Sequence, residues 1–154
     1  MSLHLQDMRE ENSPSFFNPE EVFVVIDYVK QLLDFNVDED DIGIITPYRR
    51  QVQKLRWRLE DRGLQDITGD DDNDNDDDDN DDDITVGTTE EFQGQERKVI
   101  IVSTVRSTPE YVTLDRRHRL GFLADSKRFN VAITRAQALL IVVGNPQILY
   151  QVGS

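Results

Sequence analysis

Residues 88–96 read TTEEFQGQE, and residues 129–135 read FNVAITR. The first block sits between two apolar runs, Ile84–Gly87 and Val99–Val102, and the second shortly precedes Leu139–Val143. These runs are short, continuous and rich in Val and Ile, the pattern of parallel strands covered on both faces. Ile42–Ile45 is a further run of this kind, closed by Thr46-Pro47. Helical patterns separate some of these strands. Asn18-Pro19-Glu20-Glu21 offers an N-cap, a proline at the first helical position and acids in the first turn. Val22, Val25, Ile26, Val29, Leu32 and Leu33 follow at helical spacing, which predicts a helix over 19–34. A second helix is expected from about Tyr48 to Asp61, with Val52, Leu55 and Leu59 on its apolar face and Gly63 as a stop. A third should run from Ser126, as its cap, through Ala136. The expected fold is α/β, an open, mostly parallel sheet with helices on both faces.

The chain has 154 residues and fits one core. Its boundaries are expected at 1–17 for an irregular N-terminal segment, 18–150 for the domain and 151–154 for a tail. The formal net charge is −14, but Asp70–Asp83 alone holds eleven aspartates, which leaves −3 for the rest. The fold itself is therefore close to neutral. An acidic insert over 68–83 cannot bury apolar surface and repels itself, so disorder is expected there. The chain lacks cysteine, and His4 and His118 lie far apart, so no metal site is expected. No apolar run reaches the roughly 20 residues of a membrane span. No signal-like leader is visible, and the expectation is a soluble, intracellular protein without membrane contact.

In open α/β sheets, ligands gather beyond the carboxyl ends of the strands. Thr46-Pro47-Tyr48-Arg49, Thr88–Glu96 and Asn145-Pro146 all begin at such ends. The acidic insert precedes a strand and should leave from the other edge, away from bound phosphate. Gly94 lets a backbone approach a ligand, and Glu96 offers an acceptor for a ribose hydroxyl. Thr88 and Thr89 offer hydroxyls and amides to a nucleic-acid phosphate. Arg135, late on its helix, can grip two phosphate oxygens at any relevant pH. The plainer alternative is a solvated arginine favoured by the helix dipole. Tyr48, Arg49, Arg50, Lys54, Arg56, Trp57 and Arg58 interleave cations with aromatics, as single-strand binders do. Beyond Arg49, a solvated helix face explains them better. Arg116, Arg117, Arg119, Lys127 and Arg128 form a second basic cluster that suits either RNA or a solvated loop.

Taken in order, ITPYRRQ, VGTTEEFQGQE, STVRS, LGFLADSKRFNVAITRAQ and VVGNP resemble the second RecA-like domain of up-frameshift-like superfamily 1 helicases. NSPSFFNPEE near the start, with STVRS and LGFLADSKRFNVAITRA, is most similar to the Moloney leukaemia virus ten, Armitage and silencing-defective group of RNA helicases. The resemblance extends from about Arg9 to Leu149, apart from the insert. It implies a RecA-like, P-loop NTPase fold, ATP hydrolysis with Mg2+, and 5′-to-3′ translocation on single-stranded RNA. RNA silencing or mRNA decay in the cytoplasm, in RNA granules, would be the setting, with Argonaute or RNA-decay proteins as partners. Arg135 then matches the catalytic arginine finger, and Gly94 and Glu96 match nucleotide contacts. Thr46, Pro47, Thr88 and Thr89 match positions that touch the nucleic-acid backbone, and Tyr48 and Arg49, beside Thr46 at the strand end, are expected on the same RNA side. Asn130 and Thr134 would link the two sides.

The chain has no GxxxxGK[ST] phosphate loop and no Asp-Glu magnesium pair. The resemblance therefore implies that ATP and Mg2+ are held mainly by a first RecA-like domain, the chain's closest partner, and that this chain alone is inactive. Two alternatives remain open. One is a related DNA helicase or helicase-nuclease, since these motifs discriminate RNA from DNA poorly. The other is a non-catalytic module whose acidic loop recruits basic proteins, against which the pairing of Arg135 with Glu96 argues.

Overall fold

A computed structural model of the chain describes residues 8–9, 16–64, 83–105 and 121–147. Residues 68–82 of the insert, the 151–154 tail, the two histidines and Arg116, Arg117 and Arg119 lie outside these residues. Met8–Arg9 (β1) pairs antiparallel with Phe16–Phe17 (β2), so part of the segment expected to be irregular forms a two-residue ladder. Helix α1 spans Pro19–Asp34, as its cap and periodicity predict. The Asn18 side chain accepts from the amides of Glu20 and Glu21, both at 3.1 Å. A short 3-10 turn, Glu39–Asp41, leads into β3 (Ile42–Ile45), followed by α2 (Arg49–Asp61). Then come β4 (Thr85–Gly87), β5 (Arg97–Ser103), α3 (Gly121–Ala124), α4 (Ser126–Ile133) and β6 (Ala136–Val143).

The main sheet has four strands in the order β4-β3-β5-β6, and every pairing is parallel. Alternate residues of each strand face opposite layers. Ile42 and Ile44 join Ile101 and Val143 beneath α1 and α2, where Val25, Val29, Leu55 and Leu59 are buried. On the other face Ile45, Ile100 and Val102 meet Phe92, Phe122 and Ala132, from the 88–96 crossover, α3 and α4. The architecture is the expected two-faced α/β sheet. The edge strand β6 keeps Leu139, Leu140 and Val142 exposed among the described residues.

Gly43 makes room for this second layer. A Cβ there would lie 2.8 Å from Ile100 Cδ1, 2.9 Å from Phe92 Cε1 and 3.1 Å from Arg97 Cγ. Overpacking of a dense core costs about 1–3 kcal/mol. Gly43→Val should therefore lower the denaturation midpoint by at least that equivalent, and an unchanged urea midpoint would show that Phe92 packs elsewhere.

Two boundaries differ from expectation in ways that affect the site. Asp125, rather than Ser126, caps α4, its carboxylate accepting from the amides of Lys127 at 3.0 Å and Arg128 at 3.3 Å. The helix ends at Ile133 with Thr134 as its C-cap, and β6 begins at Ala136 instead of Leu139. Pairing of Ala136 with Arg97 draws the chain into the sheet before another helical turn can form. Arg135 thus sits in the turn between helix and strand.

Candidate nucleotide and nucleic-acid edges

The 88–96 crossover runs from the carboxyl end of β4 to the amino end of β5. It starts with a side-chain cap: the Glu91 carboxylate accepts from the Thr88 amide at 3.0 Å, three residues back, which is one of the two bonds of a capping box. Turns follow, with the amides of Phe92, Gln93 and Gln95 donating to the carbonyls of Thr88, Glu90 and Phe92. Phe92 is fully buried and anchors the crossover on the sheet. Gly94 has φ 75°, a left-handed conformation that suits glycine, and open space surrounds the position a Cβ would take.

Because the crossover traverses the sheet, the expected site residues divide between its two edges. Thr46, Pro47, Tyr48, Arg49, Thr88 and Thr89 lie at the carboxyl edge. Gly94, Glu96 and Arg135 lie at the amino edge, beside the first residues of β5 and β6. The Arg97 amide donates to the Arg135 carbonyl at 3.1 Å, and the Gln137 side chain donates to Glu96 Oε2 at 3.3 Å. Glu96 and Arg135 are thereby held as neighbours. The expectation of a ligand crevice beyond the carboxyl ends therefore does not hold for the positions of Gly94 and Glu96, which the crossover carries to the amino edge. The acidic insert also enters the described structure at Asp83, on the amino edge, two strands from β5. Strand direction alone does not separate it from Arg135.

On the carboxyl edge, Thr46, Pro47, Tyr48 and Thr89 are buried, while Thr88 is half-buried. Tyr48 packs edge-on against Phe16 with ring centroids 5.7 Å apart, and Val105 completes that small cluster. This packing withdraws Tyr48 from the surface and argues against base stacking on its ring. The Oγ1 atoms of Thr46 and Thr89 are buried without a hydrogen-bond partner among the described residues. Arg49 is different: its side chain is 78% exposed and only 3.8 Å from Glu91 Oε1, a loose surface pair. Exposed pairs of this kind contribute little, so a phosphate can compete for the guanidinium.

On the amino edge, Arg135 Nη2 donates to Thr134 Oγ1 at 3.2 Å, while its buried Nε has no acceptor among the described residues. Thr134 Oγ1 in turn donates to the Val131 carbonyl at 3.0 Å. An orphaned guanidinium nitrogen, an exposed carboxylate at Glu96 and an open left-handed glycine fit a nucleotide's phosphate and ribose. Asn130 is exposed on α4. Three carboxylates, Asp38, Asp40 and Asp41, cluster before β3, but Asp41 is held by Lys98 Nζ at 2.7 Å. A groove lined by Phe23, Ile26, Asp27, Lys30, Arg58 and Arg62 lies on the helix layer opposite α4 and holds none of the motif residues.

A buried polar network was not foreseen. Glu21 Oε1 accepts from Ser103 Oγ at 2.9 Å and from the Val105 amide at 3.0 Å. Asn18 Nδ2 donates to the Val105 carbonyl at 3.3 Å. Gln51 Nε2 donates to Ser103 Oγ at 3.1 Å and to the Asn18 carbonyl at 3.2 Å, while its Oε1 accepts from the Asn18 amide at 2.9 Å. These groups grip both backbone atoms of Val105, a β-branched residue at φ 68°. Such a conformation is strained and persists only where the surroundings impose it. A signal existed in the sequence. Glu21 shares a helical stripe with Val25 and Val29, and Gln51 shares one with Leu55 and Leu59, so each polar group points into the core.

A family model described as an AAA domain matches residues 1–147. The chain is 50% identical over 152 residues to a Danio rerio protein named as the helicase mov-10-B.2, covering 94% of this chain and 14% of that protein. It is 49% identical over 146 residues to the RNA helicase Mov10l1 of Homo sapiens, covering 93% of this chain and 11% of that protein. The DNA polymerase alpha-associated DNA helicase A of Saccharomyces cerevisiae is 35% identical over 141 residues, covering 91% of this chain and 17% of its own length. The chain thus spans only a small part of each relative. Order of motifs, sheet topology and these likenesses agree: the chain belongs to the AAA domain family, as a helicase domain of the up-frameshift-like superfamily 1 type.

Proposed function

We propose that the chain is the second motor domain of an ATP-dependent RNA helicase that moves 5′-to-3′ on single-stranded RNA. The supporting observation is the division of the motif residues between two edges of one sheet. Arg49, Thr88 and Thr89 lie at the carboxyl edge, which on this reading faces RNA, and Gly94, Glu96 and Arg135 lie at the amino edge, which would face the nucleotide. ATP, which brings Mg2+ and the bond to be cleaved, would be held mainly by a first RecA-like domain. Arg135 would meet its γ-phosphate, Glu96 a ribose hydroxyl and Gly94 its close approach. On this reading the chain alone does not hydrolyse ATP. Greater identity to Mov10l1, named an RNA helicase, than to the yeast DNA helicase favours RNA. RNA silencing or mRNA decay, cytoplasmic granules, and Argonaute or RNA-decay partners belong to the same proposal.

The test is the ATPase rate of the complete protein with single-stranded RNA, with single-stranded DNA and with neither, using this chain alone as a control. Stimulation by RNA that needs both domains supports the proposal. Equal stimulation by DNA would move the protein to the DNA helicases, and inactivity would leave a binding module. For the carboxyl edge, Arg49→Ala should weaken RNA binding alike across sequences. It should also reduce the salt slope of log K by about 0.7, the value for one lost single-strand phosphate contact. An unaltered slope would remove Arg49 from the interface.

A further inference from the structure

Arg128 was expected either to touch RNA or to solvate a loop, and its geometry favours neither. It is the third residue of α4, and its side chain is only 19% exposed. Nε lies 2.7 Å from Glu90 Oε1, and Nη2 donates to Glu90 Oε2 at 3.0 Å and to the Pro47 carbonyl at 3.2 Å. One guanidinium therefore holds both loops of the carboxyl edge. Glu90 follows Thr88 and Thr89, and Pro47 lies between Thr46 and Tyr48.

The helix that carries Arg128 has its other end at the nucleotide edge. Helix α4 is 8 residues long, on the order of 12 Å. Its start is fixed by the Asp125 cap. At its end the amides of Thr134 and Arg135 donate to the carbonyls of Asn130 and Ala132. A short capped helix moves as a unit, so a displacement of Pro47 or Glu90 at the carboxyl edge reaches Arg135 at the other. A lysine in place of Arg128 could supply charge, but its one nitrogen could not lie beside Glu90 Oε1 while a second donates to Glu90 Oε2 and the Pro47 carbonyl.

We propose that Arg128 and Glu90 form a positioning clasp that couples the RNA-facing loops to the helix that leads into Arg135. The clasp rests on the helicase reading above and adds the connection between its two sides. Neither residue touches nucleotide or RNA, and each acts through the loops and the helix it joins.

The experiment uses the complete protein, with ATP turnover measured with and without a single-stranded oligouridylate. Arg128→Ala and Glu90→Ala should each reduce the RNA-stimulated rate by about tenfold or more, the scale of effect when a remote change misplaces a reacting group. The RNA-free rate and the KM for ATP should stay within about twofold of wild type on this positioning argument. Arg128→Lys should not restore stimulation, whereas the exchanged pair Arg128→Glu with Glu90→Arg should restore part of it. Glu90→Gln, at a side chain 55% exposed, tests the same point with little risk to folding.

Equal loss of stimulated and basal rates would overturn the proposal, because it marks a merely structural pair. Full stimulation in Glu90→Gln and Arg128→Ala would overturn it too. A wild-type protein that RNA does not stimulate would overturn the helicase reading and the clasp together. That failure is distinguishable because it precedes any substitution.

Discussion

Replacing Arg135 by alanine in the complete protein is expected, on the proposed function, to lower kcat for RNA-stimulated ATP hydrolysis by about 10³-fold or more, with little change in ATP binding. An arginine meeting the γ-phosphate is worth on the order of 10³–10⁵ because it answers charge that develops mainly in the transition state. A thousandfold corresponds to about 4 kcal/mol of barrier. The position supports this magnitude. Arg135 lies in the turn after α4, its Nε is buried without an acceptor among the described residues, and its carbonyl is tied to Arg97. A group held there loses little orientational freedom when phosphate arrives. Arg135→Lys should recover little, since an ammonium lacks the two-pronged geometry. The decisive measurement is single-turnover hydrolysis beside equilibrium nucleotide binding. A variant that hydrolyses normally would remove Arg135 from catalysis, and one that loses binding as steeply as rate would make it a ground-state contact.

The second large effect is structural. Glu21→Ala should destabilise the domain by about 3 kcal/mol, because it strips the acceptor from the Val105 amide and from Ser103 Oγ in a site closed to water. For a domain of this size the thermal midpoint would fall by roughly 10 °C. The loss extends beyond two hydrogen bonds, since Glu21 holds the strained φ of 68° at Val105 from the amide side. Glu21→Gln keeps an acceptor of similar shape and should lose less than half as much. Thermal melting of the three proteins orders them, and equal midpoints for wild type and Glu21→Ala would show that the network contributes nothing. Gln51→Ala should fall between, because it breaks the link from α2 but leaves Glu21 on Val105.

Much of the architecture could be read along the chain because its signals are local. Asn18-Pro19 sets the start of α1 through two amides and a proline, and Ile42–Ile45 has no polar residue to turn toward water. The AITR stretch was less legible. Ala136 suits a helix as well as a strand, and only its pairing with Arg97 decides between them. Tyr48 illustrates the same limit, since an aromatic beside arginines suggests stacking until Phe16 and Val105 are found to cover it.

By itself, the sequence determined the type and order of α1, α2, α4 and the four strands of the main sheet, and the two-faced sheet they form, but neither the β1–β2 ladder nor α3. Each of these depends on neighbours within a few positions or on ordered blocks that can be matched directly. Only the tertiary structure decided which edge each motif residue occupies, and it separated Glu96 from Thr88 although one short crossover connects them. It also joined Arg128 to Glu90 and Pro47, and Glu21 to Val105. Those contacts span 38 and 81 positions for Arg128 and 84 for Glu21. A side chain's partner at such separations is fixed by strand order and helix packing, which no local pattern encodes.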